Sequence, residues 1–81
     1  MIPLGIILGR VMDTMKEIGA FVAKVRREQG ITQLELSQAA DVGRRFVVEL
    51  EDGKETLQAG KLLKVLSVLG VDLQLVAPKG V

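Results

Sequence analysis

The chain has no cysteine and no histidine. Without cysteine it can form neither a disulfide nor a thiolate metal site. Without histidine it lacks the commonest metal ligand and the usual general base. No pair of acids sits with a phosphate-binding loop, so the sequence reads as a non-enzyme that uses no metal and no cofactor. Aromatic residues are 2% of the chain against 48% hydrophobic, which predicts a core of aliphatic helix packing. An excess of one charge is missing too. Eleven basic and ten acidic residues leave a net charge of +1, so any nucleic-acid role must come from a local patch.

What is present points to one small domain. A chain of 81 residues buries too little surface to be very stable alone and usually needs a staple or a partner. Its apolar content leaves surface to spare, which points to an oligomer. The opening MIPLGIILGR is too short an apolar run to span a membrane. It also lacks the basic region and cleavage site of a signal peptide, so a cytoplasmic protein without membrane contact is expected. Residues 1–11 form an apolar N-terminal extension. It reads either as an upstream start ahead of Met12 or, from the alternation of Leu4, Ile6 and Leu8, as a short strand.

Residues 12–70 carry helical patterns. Met15, Ile18, Val22 and Val25, widened by Phe21, predict a first helix from about Met15 to Gln29, closed by Gly30. TQLE is a capping box in which Thr32 caps a second helix and Glu35 returns a bond. That helix ends near Ala40, and Asp41-Val42-Gly43 makes a tight connection to a third, Arg44 to about Asp52. A fourth spans about Gln58 to Leu69, with Ala59, Leu62, Leu63, Leu66 and Leu69 as a wide apolar face. VDLQLVA then alternates as a half-buried strand over residues 71–77, and residues 78–81 are a tail.

The third helix poses a question, because ADVGRRFVVEL puts two arginines in its first turn and acids in its last. That order opposes the helix dipole, at a cost of a few tenths to about 1 kcal/mol per exposed charge. Helices two and three, joined by about three residues, make a helix-turn-helix over Gln33–Asp52. Leu36, Ala40, Val42, Val47 and Leu50 form its core, and small Ser37 lets the helices cross closely. By subtraction Arg44, Arg45, Val48 and Glu49 face outward. A generic helical hairpin is the plainer alternative.

VAKVRREQGITQLELSQAADVGRRFVVELEDGKETL resembles the lambda-repressor-like, Xre/Cro-type DNA-binding domains. GKLLKVLSVLGVDLQLV narrows the resemblance to the HipB-like antitoxins of bacterial type II toxin–antitoxin operons. The resemblance covers about residues 15–76. It departs at Asp41, where the pattern has a turn glycine, and at Gly43, where it has a Ser or Thr cap. It implies a mainly α, four- to five-helix domain with a short C-terminal β-strand paired across a dimer.

The resemblance also implies that the third helix lies in the major groove of double-stranded operator DNA. Arg44 and Arg45 would then face base edges, or one of them a phosphate, and Glu49 a cytosine amine. A merely solvated face is the alternative for the arginines. Gln33 would hold a phosphate at a helix N-terminus, Lys54 another, and Phe46 a thymine methyl unless it packs inward. Thr32, Gly43 and Val48 complete the expected DNA-facing set. Arg26 would pair with Glu51 at the end of the third helix. A second copy of the strand would bury Val71, Leu73, Leu75 and Val76 in a homodimer, since a lone strand leaves its backbone unpaired. The expected function is a sequence-specific repressor, the antitoxin of an autoregulated operon holding a HipA-like kinase toxin. The alternatives are a stand-alone Xre-type regulator and a toxin-binding module with little DNA affinity.

Overall fold

The computed structural model describes residues 11–79, so the N-terminal extension, apart from Val11, lies outside the described residues. Four helices follow one another within them: α1 (Met15–Glu28), α2 (Gln33–Ala40), α3 (Arg44–Glu51) and α4 (Ala59–Leu69). None is long and apolar enough to cross a membrane.

Local chemistry sets the helix ends. Thr14 caps α1 by accepting from the Glu17 amide at 3.1 Å. At α2 the capping box is complete: Thr32 Oγ1 accepts from the Glu35 amide at 3.0 Å, and the Glu35 carboxylate accepts from the Thr32 amide at 2.9 Å. Each helix closes on a left-handed residue, namely Gly30, Asp41, Gly53 and Gly70. The amide of that residue reaches the carbonyl three back, and the next amide reaches five back, satisfying carbonyls that would otherwise be orphaned. Asp41, at φ 55°, is the one described non-glycine residue in this conformation. An aspartate tolerates it at some cost.

The core joins Val22 of α1, Leu36 and Ala40 of α2, Val47 and Leu50 of α3, and Val65, Leu66 and Leu69 of α4. Val42 plugs the corner between α2 and α3. The buried Ser37 hydroxyl is satisfied by donating to the Leu34 carbonyl at 2.7 Å. On α4 the buried stripe is narrower than the sequence pattern suggests. Val65, Leu66 and Leu69 are buried and Leu62 packs beside them, while Leu63 remains 50% exposed. A straight helix against one neighbouring layer can bury only one stripe. Gln29 ties the ends of α1 and α4 together, donating from Nε2 to the Leu69 carbonyl at 2.7 Å.

The C-terminal strand is not there. Residues 71–78 have neither strand nor helix structure, and no strand exists among the described residues. Val71 packs on the core beneath α4, but Leu73, Leu75 and Val76 are exposed. Alternating apolar residues favour a strand only where a neighbour accepts and donates the ladder bonds, and the described chain offers none. The expected fold is therefore corrected to an α-helical domain with an irregular tail, and dimerisation through a paired strand of Val71, Leu73, Leu75 and Val76 has no support.

Where α1 crosses α3, the sequence needs a glycine. A Cβ on buried Gly19 would collide with the Leu50 carbonyl oxygen and lie 3.0 Å from that of Glu51. Both obstacles are backbone and cannot swing aside. Gly19→Ala should therefore destabilise the domain by about 1–3 kcal/mol or more through overpacking, despite alanine's better helix propensity. Chemical denaturation checks this; a variant as stable as the parent would show that the helices can separate freely here.

Candidate nucleic-acid interface

The helix-turn-helix unit consists of α2, the Asp41–Gly43 turn and α3. Burial of Val47 and Leu50 rotates the other side of α3 outward. Arg44 and Arg45 are exposed in its first turn, while Phe46, Val48 and Glu49 are half-buried. The start of α3 differs chemically from those of α1 and α2. Its N-cap, Gly43, makes no side-chain cap bond, and its first turn holds no acid, whereas α1 and α2 have threonine caps with Glu17 and Glu35 in the first turn. A Cβ at Gly43 would meet nothing within 4 Å, so packing does not exclude the usual Ser or Thr there.

The acids near α3 are already engaged. Glu49 Oε2 accepts from Lys54 Nζ at 3.0 Å and lies 3.7 Å from Arg45 Nε. The Arg45 side chain is 89% exposed, so this second contact is weak and leaves the arginine free to swing. The carboxylate expected to accept from a cytosine thus has intramolecular cations beside it. Thr32 is exposed, but its hydroxyl oxygen serves the α2 cap.

Arg26 and Glu51 meet in the cleft between α1 and α3. Arg26 Nε donates to Glu51 Oε2 at 2.6 Å and Nη2 to Oε1 at 3.0 Å. The remaining arm, Nη1, donates to the Ile31 carbonyl at 2.9 Å. The side chains are 12% and 6% exposed. Gln33 joins them: its Nε2 donates to Glu51 Oε1 at 3.0 Å, so the side chain expected at a phosphate also belongs to this network. Burial pushes the Glu51 carboxyl up, but the bonds from Arg26 and Gln33 and the charges of Arg26 and Arg27 together hold it below the usual range. The Glu51 hydrogen bond in turn raises Arg26.

Lys61 is a cation that sequence reasoning missed. It lies in the first turn of α4, with Nζ 5.9 Å from the centre of the Phe46 ring. Phe46 therefore packs partly within the domain. The signal that marks Arg44 and Arg45, a cation in a helix's first turn with no acid, also marks Lys61. Among the described residues no acidic cluster could hold a metal ion.

The helix-turn-helix family profile matches residues 22–76. The uncharacterized HTH-type transcriptional regulator y4mF of Sinorhizobium fredii (strain NBRC 101917 / NGR234) is 46% identical over 71 residues, covering 88% of this chain and 93% of the relative. A second regulator of that strain, y4dJ, is 32% identical over 68 residues, covering 83% and 88%. A chain in the solved HipA–HipB–O2–O3 complex superposes with a TM-score of 0.77 at 18% identity, over 86% of this chain and 99% of that one. At that identity the likeness concerns the fold.

Breaking the Arg26–Glu51 pair should be costly, because it strands a charge in the cleft. Glu51→Ala should lose about 3 kcal/mol. Because the Glu51 pKa is depressed on folding, its contribution is complete above the unfolded carboxyl value of about 4.3 and is lost as pH falls through the lower folded value. Urea titrations at a series of pH values should show Glu51→Gln with a shallower acid limb than the parent. Parallel limbs would mean that the pair carries no pH-dependent stability.

Proposed function

The chain belongs to the helix-turn-helix family, and on that premise we propose that it is a sequence-specific DNA-binding transcriptional repressor in which α3 enters the major groove. The observation that carries this reading is the first turn of α3. Two exposed arginines stand at the positive end of a helix whose first turn holds neither an acid nor a capping side chain, and only Arg45 has an acid near it, Glu49 at 3.7 Å. Such an arrangement lowers stability slightly, and DNA explains it. There a bidentate arginine–guanine pair discriminates by about 1–3 kcal/mol. Gln33 at the start of α2, with Lys54 and Gly43, would set the register on phosphates. Lys54 also holds Glu49.

We read the regulator as an antitoxin that represses its own operon and binds a kinase-like toxin. The solved assembly that shares the fold contains HipA with HipB. The present chain leaves Leu63, Val68, Leu73, Leu75 and Val76 exposed on α4 and the tail, and a toxin would contact the chain there. Co-expression with the neighbouring gene product should yield a complex that copurifies. An unrelated neighbour and no complex would favour a stand-alone regulator, the reading nearer to the names of y4mF and y4dJ. Toxin capture by a chain that shifts no DNA would favour the interaction-module reading, which the net charge of +1 suits.

If the arginines read bases, Arg44→Ala or Arg45→Ala should cost about 1–3 kcal/mol on the duplex upstream of the chain's own gene and relax one base preference. Random duplex should lose much less, and the melting temperature should hold or rise. An arginine that meets only phosphate would instead weaken all sequences equally and lower the salt slope by about one. Lower stability with unchanged affinity would contradict a DNA role for this turn.

A further inference from the structure

Gln33 opens α2 half-buried, and its side chain's only hydrogen bond among the described residues runs from Nε2 to Glu51 Oε1. A carboxylate held by a guanidinium can only accept, so the amide cannot be turned round; its nitrogen must face Glu51. That nitrogen carries two hydrogens. One serves Glu51, and the other has no acceptor among the described residues. It sits in the first turn of α2, where backbone amides also lack intrahelical partners. A bare acid behind such a site would repel a phosphate. Glu51 does not act as a bare acid, because Arg26 neutralises it through bonds at 2.6 and 3.0 Å.

We propose that Glu51 is a positioning residue for DNA binding. Through Gln33 it aims an amide N–H at a backbone phosphate, so the carboxylate that fixes α3 against α1 also fixes the phosphate contact of α2. The inference rests on the DNA-binding reading above and adds a mechanical consequence. The phosphate clamp and the reading helix share one anchor, so neither can shift without the other. Arg26 is the third member: it supplies the charge that lets Glu51 orient an amide without driving DNA away.

The test is a double-mutant cycle on the full chain, with binding to a fluorescent random-sequence duplex followed by anisotropy at low salt. Gln33→Met keeps length and volume but cannot donate. The second change is the charge-neutral swap Arg26→Met with Glu51→Met, which removes the acceptor and counts as one single in the cycle; it is assayed below its own melting temperature. Each should weaken binding by about tenfold or more, the loss expected for one hydrogen bond to a charged group. The double variant should bind no worse than either single. Salt slopes should be unchanged, since neither change alters the net charge. A purely structural Glu51 would give losses that multiply in the double variant, and that result overturns the proposal. So does Gln33→Met binding like the parent. A second arm needs no variant: the Gln33 side-chain amide resonance of the parent should shift when duplex is added, and an unmoved resonance also overturns the proposal. A parent chain that binds no duplex at all would remove the DNA-binding reading itself, an outcome distinct from the other two.

Discussion

Arg26 uses all three of its nitrogens at one place, two on Glu51 and one on the Ile31 carbonyl. That carbonyl belongs to the link between α1 and α2, and Glu51 is the last residue of α3. A single guanidinium therefore holds three elements in register. Its planar fork suits this work, since a lysine could not keep the bidentate geometry. Close by, α1 and α3 approach until Gly19 faces the Leu50 and Glu51 carbonyls. The aliphatic core resists separation but allows sliding; the directional bonds at Arg26 resist sliding. Together they fix the angle at which α3 stands, and with it the direction of Arg44 and Arg45.

The outward face of α3 follows from that constraint. With Val47 and Leu50 buried, the arginines must lie on the solvent side. Among the described residues the positive charge of the first turn meets only the weak 3.7 Å contact from Arg45 to Glu49. Two of the four helices, α1 and α2, begin with a threonine cap and an acid, the arrangement that favours stability. The other two, α3 and α4, begin with cations and no side-chain cap, and Phe46 and Lys61 bring these two starts into contact. Stability chemistry and surface chemistry are thus divided between the helix pairs.

Much of this architecture was legible because it is written in local rules. Capping boxes, terminal glycines and a repeat of three and four residues are short-range signals, and the boundaries of α2 and α3 agree with them to within about a residue. The turn was legible too, even with Asp41 in place of glycine, because the helix ends on the same bonds. What escaped depends on distant parts of the chain. Gly19 reads as an ordinary weak spot in a helix until α3 is laid across it. Gln33 is expected from the sequence only at a phosphate, and its bond to Glu51, 18 residues away, has no local signal. The strand at Val71–Val76 failed for the complementary reason: alternation states which side is apolar but supplies no partner for the backbone.

On the function proposed above, a clamp at Arg26 and Glu51 presents the starts of α2 and α3 as one DNA-facing surface. Backbone amide NMR of the full chain, titrated with the duplex upstream of its own gene, tests it most directly. The largest shifts should fall at Gln33 and from Gly43 to Val48, with smaller ones at Lys54 and Lys61, while Leu63, Val68 and the Leu73–Val76 tail stay in place. Shifts concentrated on α4 and the tail, with Arg44 and Arg45 unmoved, would contradict it.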